Sequence, residues 1–204
     1  MTLCDVGFER EFRKSQPIFV HGAPATSVLL LTSGRVEVGC HTAEGDYRLI
    51  ALRGADDVIG EVAFEVGGVR TADVIAMEPC TAFAVPSGTF ERVLVEDGVY
   101  RQVGRYVATK LQTAGHDSVD MLSLPPLRRI ARLMMQLAEL TDPGRDHRLI
   151  PLSQTRLGHV LGLSRSLVAN LVARLRAEGV LGTQRALTVE CFDKLRFYAY
   201  AALE

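Results

Sequence analysis

The chain has 204 residues, a formal net charge of −1, and 48% hydrophobic against 23% charged residues, the make-up of one large or two modest globular domains. No apolar run reaches bilayer length and the N-terminus lacks a signal-peptide pattern, so a cytoplasmic protein with no membrane partner is expected. Cys4, Cys40, Cys80 and Cys191 are scattered, with no CxxC pair and no histidine in ligand spacing, which argues against a metal site, an iron–sulfur cluster or a disulfide framework.

From Gln16 to about Pro86 the sequence consists of short β-type runs separated by turn signals. The runs are Ser27–Thr32, Arg35–Gly39, Tyr47–Leu52, Ala72–Ala76 and Thr81–Val85. Gly22-Ala-Pro24, Ser33-Gly34, Glu44-Gly-Asp46, Gly54–Asp57 and Gly67-Gly68 punctuate them. Strands at this spacing predict an antiparallel sandwich or barrel-like roll over residues 1–97.

After Pro86 the apolar period lengthens. Ser87 is placed to cap a short helix carrying Phe90, Val93 and Leu94. A longer helix is predicted from about Gly98 to Met121, its stripe running through Val99, Val103, Tyr106, Val107, Leu111 and Ala114 to Met121 and Leu122. That stripe is wide enough for the roll and for a second copy of the helix, so residues 98–122 are read as a dimerisation helix. Ser123-Leu-Pro-Pro126 breaks it and marks the domain boundary. A helix with Leu127, Ile130, Ala131, Leu133, Met134, Leu137 and Leu140 on its buried side then opens the region 123–204.

Ser153–Leu175 predicts two short helices joined by a glycine turn, the form that presents a helix to the DNA major groove. Ser153 caps the first, whose inner face carries Leu157, Val160 and Leu161, and Gly162 ends it. Ser164 caps the second, with Val168, Leu171, Val172 and Leu175 inward and Arg165, Ser166, Ala169 and Asn170 outward. Beyond Gly179, Val180-Leu181 and Ala186–Val189 are read as the two strands of a wing around a turn containing Arg185. A short helix over Phe192–Leu203 closes the chain. Charge agrees with this division: residues 1–122 hold 11 Lys+Arg against 17 Asp+Glu, while residues 123–204 hold 12 against 7. A basic C-terminal region is the footprint of phosphate contacts.

Gly60-Glu-Val-Ala-Phe-Glu-Val-Gly-Gly-Val-Arg-Thr-Ala-Asp-Val74 resembles the phosphate-binding cassette of the CRP/FNR (cAMP receptor protein) superfamily of bacterial transcription regulators. Phe12–Phe19, the Gly22 turn, Leu31–Val36, Arg129-Ile-Ala131 and Leu163-Ser-Arg165 extend the resemblance over nearly the whole chain. It implies an α+β protein made of an antiparallel β-roll, a long dimerisation helix and a C-terminal winged helix-turn-helix. It further implies that Glu61 holds a ribose hydroxyl and that Arg70, Thr71 and Ala72 hold a cyclic phosphate, with Gly60 and Val62 beside them. The residue types suit those tasks, a carboxylate accepting hydroxyls and a guanidinium forking onto a phosphodiester.

Two departures stand out. Where cAMP-responsive members place a threonine–serine pair against the adenine, this chain has Ala114 and Gly115, with Thr113 one step away. In the recognition helix Arg165 is retained, a fork suited to guanine, but Ser166 and Asn170 replace a glutamate and a second arginine. Asn170 can read adenine and Leu167 can touch a thymine methyl, so an altered, more A/T-rich operator is expected. Thr155, Arg156, Arg174 and Arg185 are the expected phosphate contacts, completing a DNA-facing set with Ser153, Ser164 and Ala169.

No nucleophile–base set, metal cluster or nucleotide loop supports catalysis, so no enzyme is expected. The expected function is a homodimeric regulator of a palindromic double-stranded DNA operator, with RNA polymerase as a further partner. Its roll would answer to a cyclic nucleotide, cAMP or cGMP, or another small effector, and no cofactor is certain. The alternatives are the same DNA-binding regulator with a degenerate, nucleotide-independent roll, and a cyclic-nucleotide sensor that does not bind DNA.

Overall fold

A computed structural model describes residues 3–201, the side chains of 120–122 excepted. Met121 and Leu122, the expected end of the long helix's stripe, and Leu203, the expected last residue of the final helix, lie outside that description. The chain divides into two compact units, residues 1–40 with 50–118, and residues 41–49 with 119–204.

The first unit is built on two four-stranded antiparallel sheets. A short helix α1 (Leu3–Val6) precedes strands β1 (Phe8–Phe12), β2 (Pro17–Phe19), β3 (Ser27–Ser33), β4 (Val36–His41), β5 (Tyr47–Arg53) and β6 (Val58–Ile59). Helix α2 (Glu61–Val66), strands β7 (Asp73–Ala76) and β8 (Cys80–Pro86), and helix α3 (Ser87–Glu96) follow. The sheets run β1-β8-β3-β6 and β2-β7-β4-β5. The long pairing is β3 on β8, with Leu29 opposite Ala84 and Leu31 opposite Ala82. Inward side chains of both sheets (Phe12, Leu29, Leu31, Val36, Ile59, Val74 and Ala82) share one core, each fully buried aliphatic chain contributing about 2 kcal/mol. Arg35 and Glu78 close one end as a buried bidentate pair, Nε–Oε1 2.6 Å and Nη2–Oε2 2.9 Å.

Helix α3 lays Phe90 and Leu94 on Val28 and Val85. Its expected cap is corrected: Ser87 is the first helical residue, Pro86 occupies the capping position, and the Ser87 hydroxyl donates to the Ala25 carbonyl at 3.0 Å. A long-range acceptor has taken the hydroxyl that local spacing assigned to the helix end. Helix α4 (Tyr100–Ser123) follows.

In the second unit, helix α5 (Pro126–Glu139) starts with proline in its first turn, where no N–H is needed, and buries Ile130, Ala131, Leu133, Met134 and Leu137. Strand β9 (Leu149–Ile150), helices α6 (Gln154–Leu161) and α7 (Arg165–Ala177), strand β10 (Leu187–Thr188) and helix α8 (Phe192–Tyr200) complete it. The wing differs from expectation. Strand β10 pairs with β9, while Leu181 meets Val189 through a single isolated bridge and Val180-Leu181 forms no strand. Val180 and Leu181 are almost fully buried, so their apolar character serves the core rather than a hairpin. A partner about 40 residues upstream left no local signal in the sequence.

Candidate functional site

In the first unit, β2, β4, β5, α2, β7 and α4 surround a cavity of about 280 Å³. The segment Gly60–Val74 forms much of its wall. Gly60 has φ +87°, and a Cβ there would stand 2.5 Å from Arg70 Nη1 and 2.9 Å from the Phe19 ring. Only glycine lets the chain turn into α2 at that distance from the guanidinium. Two main-chain bonds fix Arg70: its N–H donates to the Ala23 carbonyl at 2.8 Å, and its carbonyl accepts from Gly22 N–H at 2.9 Å.

The Arg70 side chain is 4% exposed. Its guanidinium lies 3.5 Å from the Phe19 ring centroid, and Nη2 donates to the Ser27 carbonyl at 2.7 Å. Nη1 is buried with no hydrogen-bond partner, and burial pulls the guanidinium pKa below its usual value. A buried cation with one donor unmet calls for an anion.

Glu61, also 4% exposed, is differently placed. Its Oε1 is 2.8 Å from Lys110 Nζ on α4. Lys110 also donates to the Val58 carbonyl at 2.6 Å and stands 3.6 Å from Asp57. Tyr106, one turn back on α4, donates its hydroxyl to Asp57 at 2.8 Å and accepts from Val58 N–H at 3.1 Å. Burial lowers the Lys110 pKa and the Glu61 carboxylate partly offsets that. Burial beside Asp57 raises the Tyr106 hydroxyl well above its ordinary range. The Lys110 ammonium and the Tyr106 hydroxyl, through Glu61, Asp57 and the Val58 main chain, tie α4 to the cassette.

The second unit carries the helical pair. Ser153 Oγ accepts from Arg156 N–H at 3.1 Å and Ser164 Oγ from Leu167 N–H at 3.3 Å, so both are side-chain N-caps. Gly162 adopts the left-handed φ 63°, ψ 37° that ends α6. Leu157, Val160, Leu161, Val168, Val172 and Leu175 are buried. Arg165, Ser166, Ala169 and Asn170 are exposed on the opposite face of α7. Residues 41–49 group with this unit. There the Tyr47 ring stacks on His159 at 5.2 Å with 12° between planes, His41 meets Tyr47 edge-on, and the Arg156 guanidinium lies 4.9 Å over Tyr47.

Residues 9–97 match the cyclic nucleotide-binding domain family, and residues 128–198 match the Crp-like helix-turn-helix domain family. The chain belongs to the CRP/FNR superfamily. It is a CRP-like transcription regulator, and that family is not enzymatic. A CRP-like cAMP-activated global transcriptional regulator of Mycobacterium tuberculosis is 22% identical over 173 residues, covering 83% of this chain and 77% of its own. The cyclic AMP receptor protein of Thermus thermophilus is 27% identical over 176 residues, covering 84% and 78%. Among solved structures, FixK2 from Bradyrhizobium japonicum aligns at a TM-score of 0.79, with 21% identity over 97% of this chain and 100% of its own. A CRP-family transcriptional regulator from Thermus thermophilus aligns at 0.78, with 23% identity over 96% and 98%. The solved structures speak to the fold. Among the described residues no helix is long and apolar enough to cross a membrane.

Of the residues the CRP/FNR resemblance singles out, Gly60, Glu61, Val62, Arg70, Thr71 and Ala72 all line the cavity. Thr113 does not line it and is exposed, whereas Ala114 does. One residue along a helix is a 100° rotation, so the hydroxyl faces away. On the DNA-facing set, Thr155 and Arg185 are exposed, Leu167 is half-buried, and Arg174 pairs with Glu178 at 2.8 Å. Arg156 is engaged by the Tyr47 ring and by His159 Nδ1 at 2.8 Å. Lys110 and Phe19 escaped sequence analysis. Lys110 sits on the long helix with no charged residue within four positions of it, and its partner is 49 positions away. Phe19 reads as an ordinary strand residue until Arg70 is seen on its ring.

Proposed function

We propose that the protein is a homodimeric, sequence-specific DNA-binding regulator whose roll cavity takes a small anionic effector, first among them a 3′,5′-cyclic nucleotide. The observation that carries the reading is Arg70, a buried guanidinium with Nη1 unmet on the cavity wall of a cyclic nucleotide-binding domain. Glu61, Thr71 and the Gly60 turn beside it are the groups expected around a sugar hydroxyl and a phosphodiester. The relatives in Mycobacterium tuberculosis and Thermus thermophilus are named for cAMP, which supports the same ligand class here.

Dimerisation through α4 draws support from its exposed apolar residues. Tyr100, Leu111 and Val119 are 44%, 53% and 65% exposed and fall within about 100° of one another around the helix. A twofold dimer would set two α7 helices against successive major grooves of a palindromic operator, about 34 Å apart. Effector contact with the cassette and α4 together would favour one dimer geometry through a population shift. Arg165 and Asn170 would read base edges, while Thr155, Arg174 and Arg185 would meet phosphates. RNA polymerase is the expected further partner.

The test is operator selection from a random duplex library, followed by anisotropy titrations across salt with and without 1 mM cyclic nucleotide. A steep fall of affinity with salt, and a change in operator affinity on adding nucleotide, are expected. Arg165→Ala should cost about 1–3 kcal/mol and relax one base position. Salt-insensitive or absent DNA binding overturns the DNA-reading half. Operator affinity indifferent to both nucleotides overturns the effector half and leaves the nucleotide-independent regulator.

A further inference from the structure

Arg53, on β5, lines the cavity outside the cassette. Its Nη1, the nitrogen on the Cδ side of the guanidinium, donates to the Leu52 carbonyl at 2.7 Å. That bond ties the group to its own strand. Nε and Nη2 form the lateral fork, two N–H groups pointing the same way, and neither has a hydrogen-bond partner among the described residues. The chain uses such a fork elsewhere: Arg35 grips Glu78 through the same two nitrogens, Nε–Oε1 2.6 Å and Nη2–Oε2 2.9 Å. A fork with two donors fits two acceptors side by side.

The other cations of the lining have their tasks. Arg70, with Nη1 unmet, and Thr71 beside it stand for the phosphate. Lys110 is taken up by Glu61 at 2.8 Å and by the Val58 carbonyl at 2.6 Å. The Arg53 fork is left for the base. Guanine presents O6 and N7, two acceptors on one edge, whereas adenine presents N7 beside its N6 amino group, an acceptor beside a donor. Against adenine the fork would meet one acceptor and one opposed donor. Nor is a free carboxylate offered to that amino group, since Glu61, the one acidic side chain of the lining among the described residues, is held by Lys110. A site whose own donors are left unpaired by the wrong ligand rejects it more strongly than an apolar wall does.

We infer that the roll cavity selects a 6-oxopurine, with cGMP preferred over cAMP, and that Arg53 is the residue that reads the base, through O6 and N7. The inference rests on the reading of the roll as a cyclic-nucleotide site. It sets this chain apart from its relatives named for cAMP. The cassette fixes the phosphate, and β5 chooses the base.

Isothermal titration of the full-length protein with cGMP, cAMP and cIMP tests it, because cIMP keeps O6 and N7 and lacks the 2-amino group of guanine. One bidentate guanine contact is worth roughly 5- to 150-fold in discrimination, so cGMP and cIMP should each bind at least about tenfold tighter than cAMP. Arg53→Lys keeps the charge and loses the fork, and should bring the cGMP-to-cAMP ratio below about threefold. Arg53→Gln supplies the same ratio should the lysine variant fail to fold by circular dichroism. A cGMP preference below about tenfold, or cIMP binding as weakly as cAMP, overturns the inference and leaves the effector reading standing. So does a ratio that stays above about threefold in the Arg53 variants, since the fork would then not be the reader. Binding of none of the three nucleotides overturns both.

Discussion

Lys110 is where α4 and the cassette are held together, and Lys110→Met tests that directly. Nζ and Oε1 of Glu61 are 2.8 Å apart, with the side chains 10% and 5% exposed. At an effective dielectric of 20, that separation corresponds to about 6 kcal/mol of attraction, opposed by the desolvation of both groups. Removing the ammonium returns none of the desolvation already incurred by Glu61 and leaves the Val58 carbonyl without its 2.6 Å donor. The expected loss is therefore about 3–5 kcal/mol, the range for breaking a buried pair from one side. The double variant Lys110→Met/Glu61→Gln should recover most of it, because the uncompensated charge is gone. The exposed Arg92–Glu96 pair, at 4.0 Å with side chains 61% and 55% exposed, serves as comparator, and Arg92→Ala should cost under about 1 kcal/mol. The chain has no tryptophan, so urea unfolding is followed by circular dichroism, with a midpoint lowered by about 1–2 M for Lys110→Met. A loss no larger than that of Arg92→Ala would refute the reasoning, since it would mean Glu61 does not depend on Lys110 for its burial.

The other predictions concern individual residues of the two units. Gly60→Ala adds a methyl 2.5 Å from Arg70 Nη1 at a positive φ; cyclic-nucleotide affinity should fall at least tenfold, by calorimetry, with the DNA-binding half still folded. Ser164→Ala deletes the hydroxyl that accepts from Leu167 N–H and should destabilise the second unit by about 1 kcal/mol. An unchanged melting curve would show that cap to be idle. His159 is held below the ordinary histidine pKa, first by burial and then by Arg156 and His41. A base whose folded pKa is depressed loses stability as pH falls through its unfolded value, about 6.5. Melting of the second unit should therefore decline from pH 7.5 to 5.5, and His159→Gln should flatten that decline.

What could be read from the sequence was what is decided locally. Helix ends depend on a side chain three residues from the N–H it receives, so Ser153, Ser164 and Gly162 mark α6 and α7 in the sequence itself. The buried faces of α5 and α7 recur every three or four residues, Ile130, Leu133, Met134 and Leu137 on one and Val168, Val172 and Leu175 on the other, while Leu127 and Leu171, expected with them, are only half-buried. Strand positions in the roll were legible for a similar reason, alternating apolar runs between turn signals, although the two-residue β6 and the helix α2 inside the cassette were too short to show a period.

Pairings between distant segments were not legible. Ser87 found the Ala25 carbonyl, β10 found β9 in place of Val180-Leu181, and Tyr47 found His159 across 112 positions of chain. The cavity shows the same division. The cassette residues from Gly60 to Ala72 marked themselves by type and spacing. Only the tertiary structure decided that Glu61 is already held by Lys110, that Arg70 lies buried on Phe19 with a donor unmet, and that Ala114 rather than Thr113 faces the space. Burial and charge compensation depend on which segments meet, and a linear order of residues encodes that only through the fold.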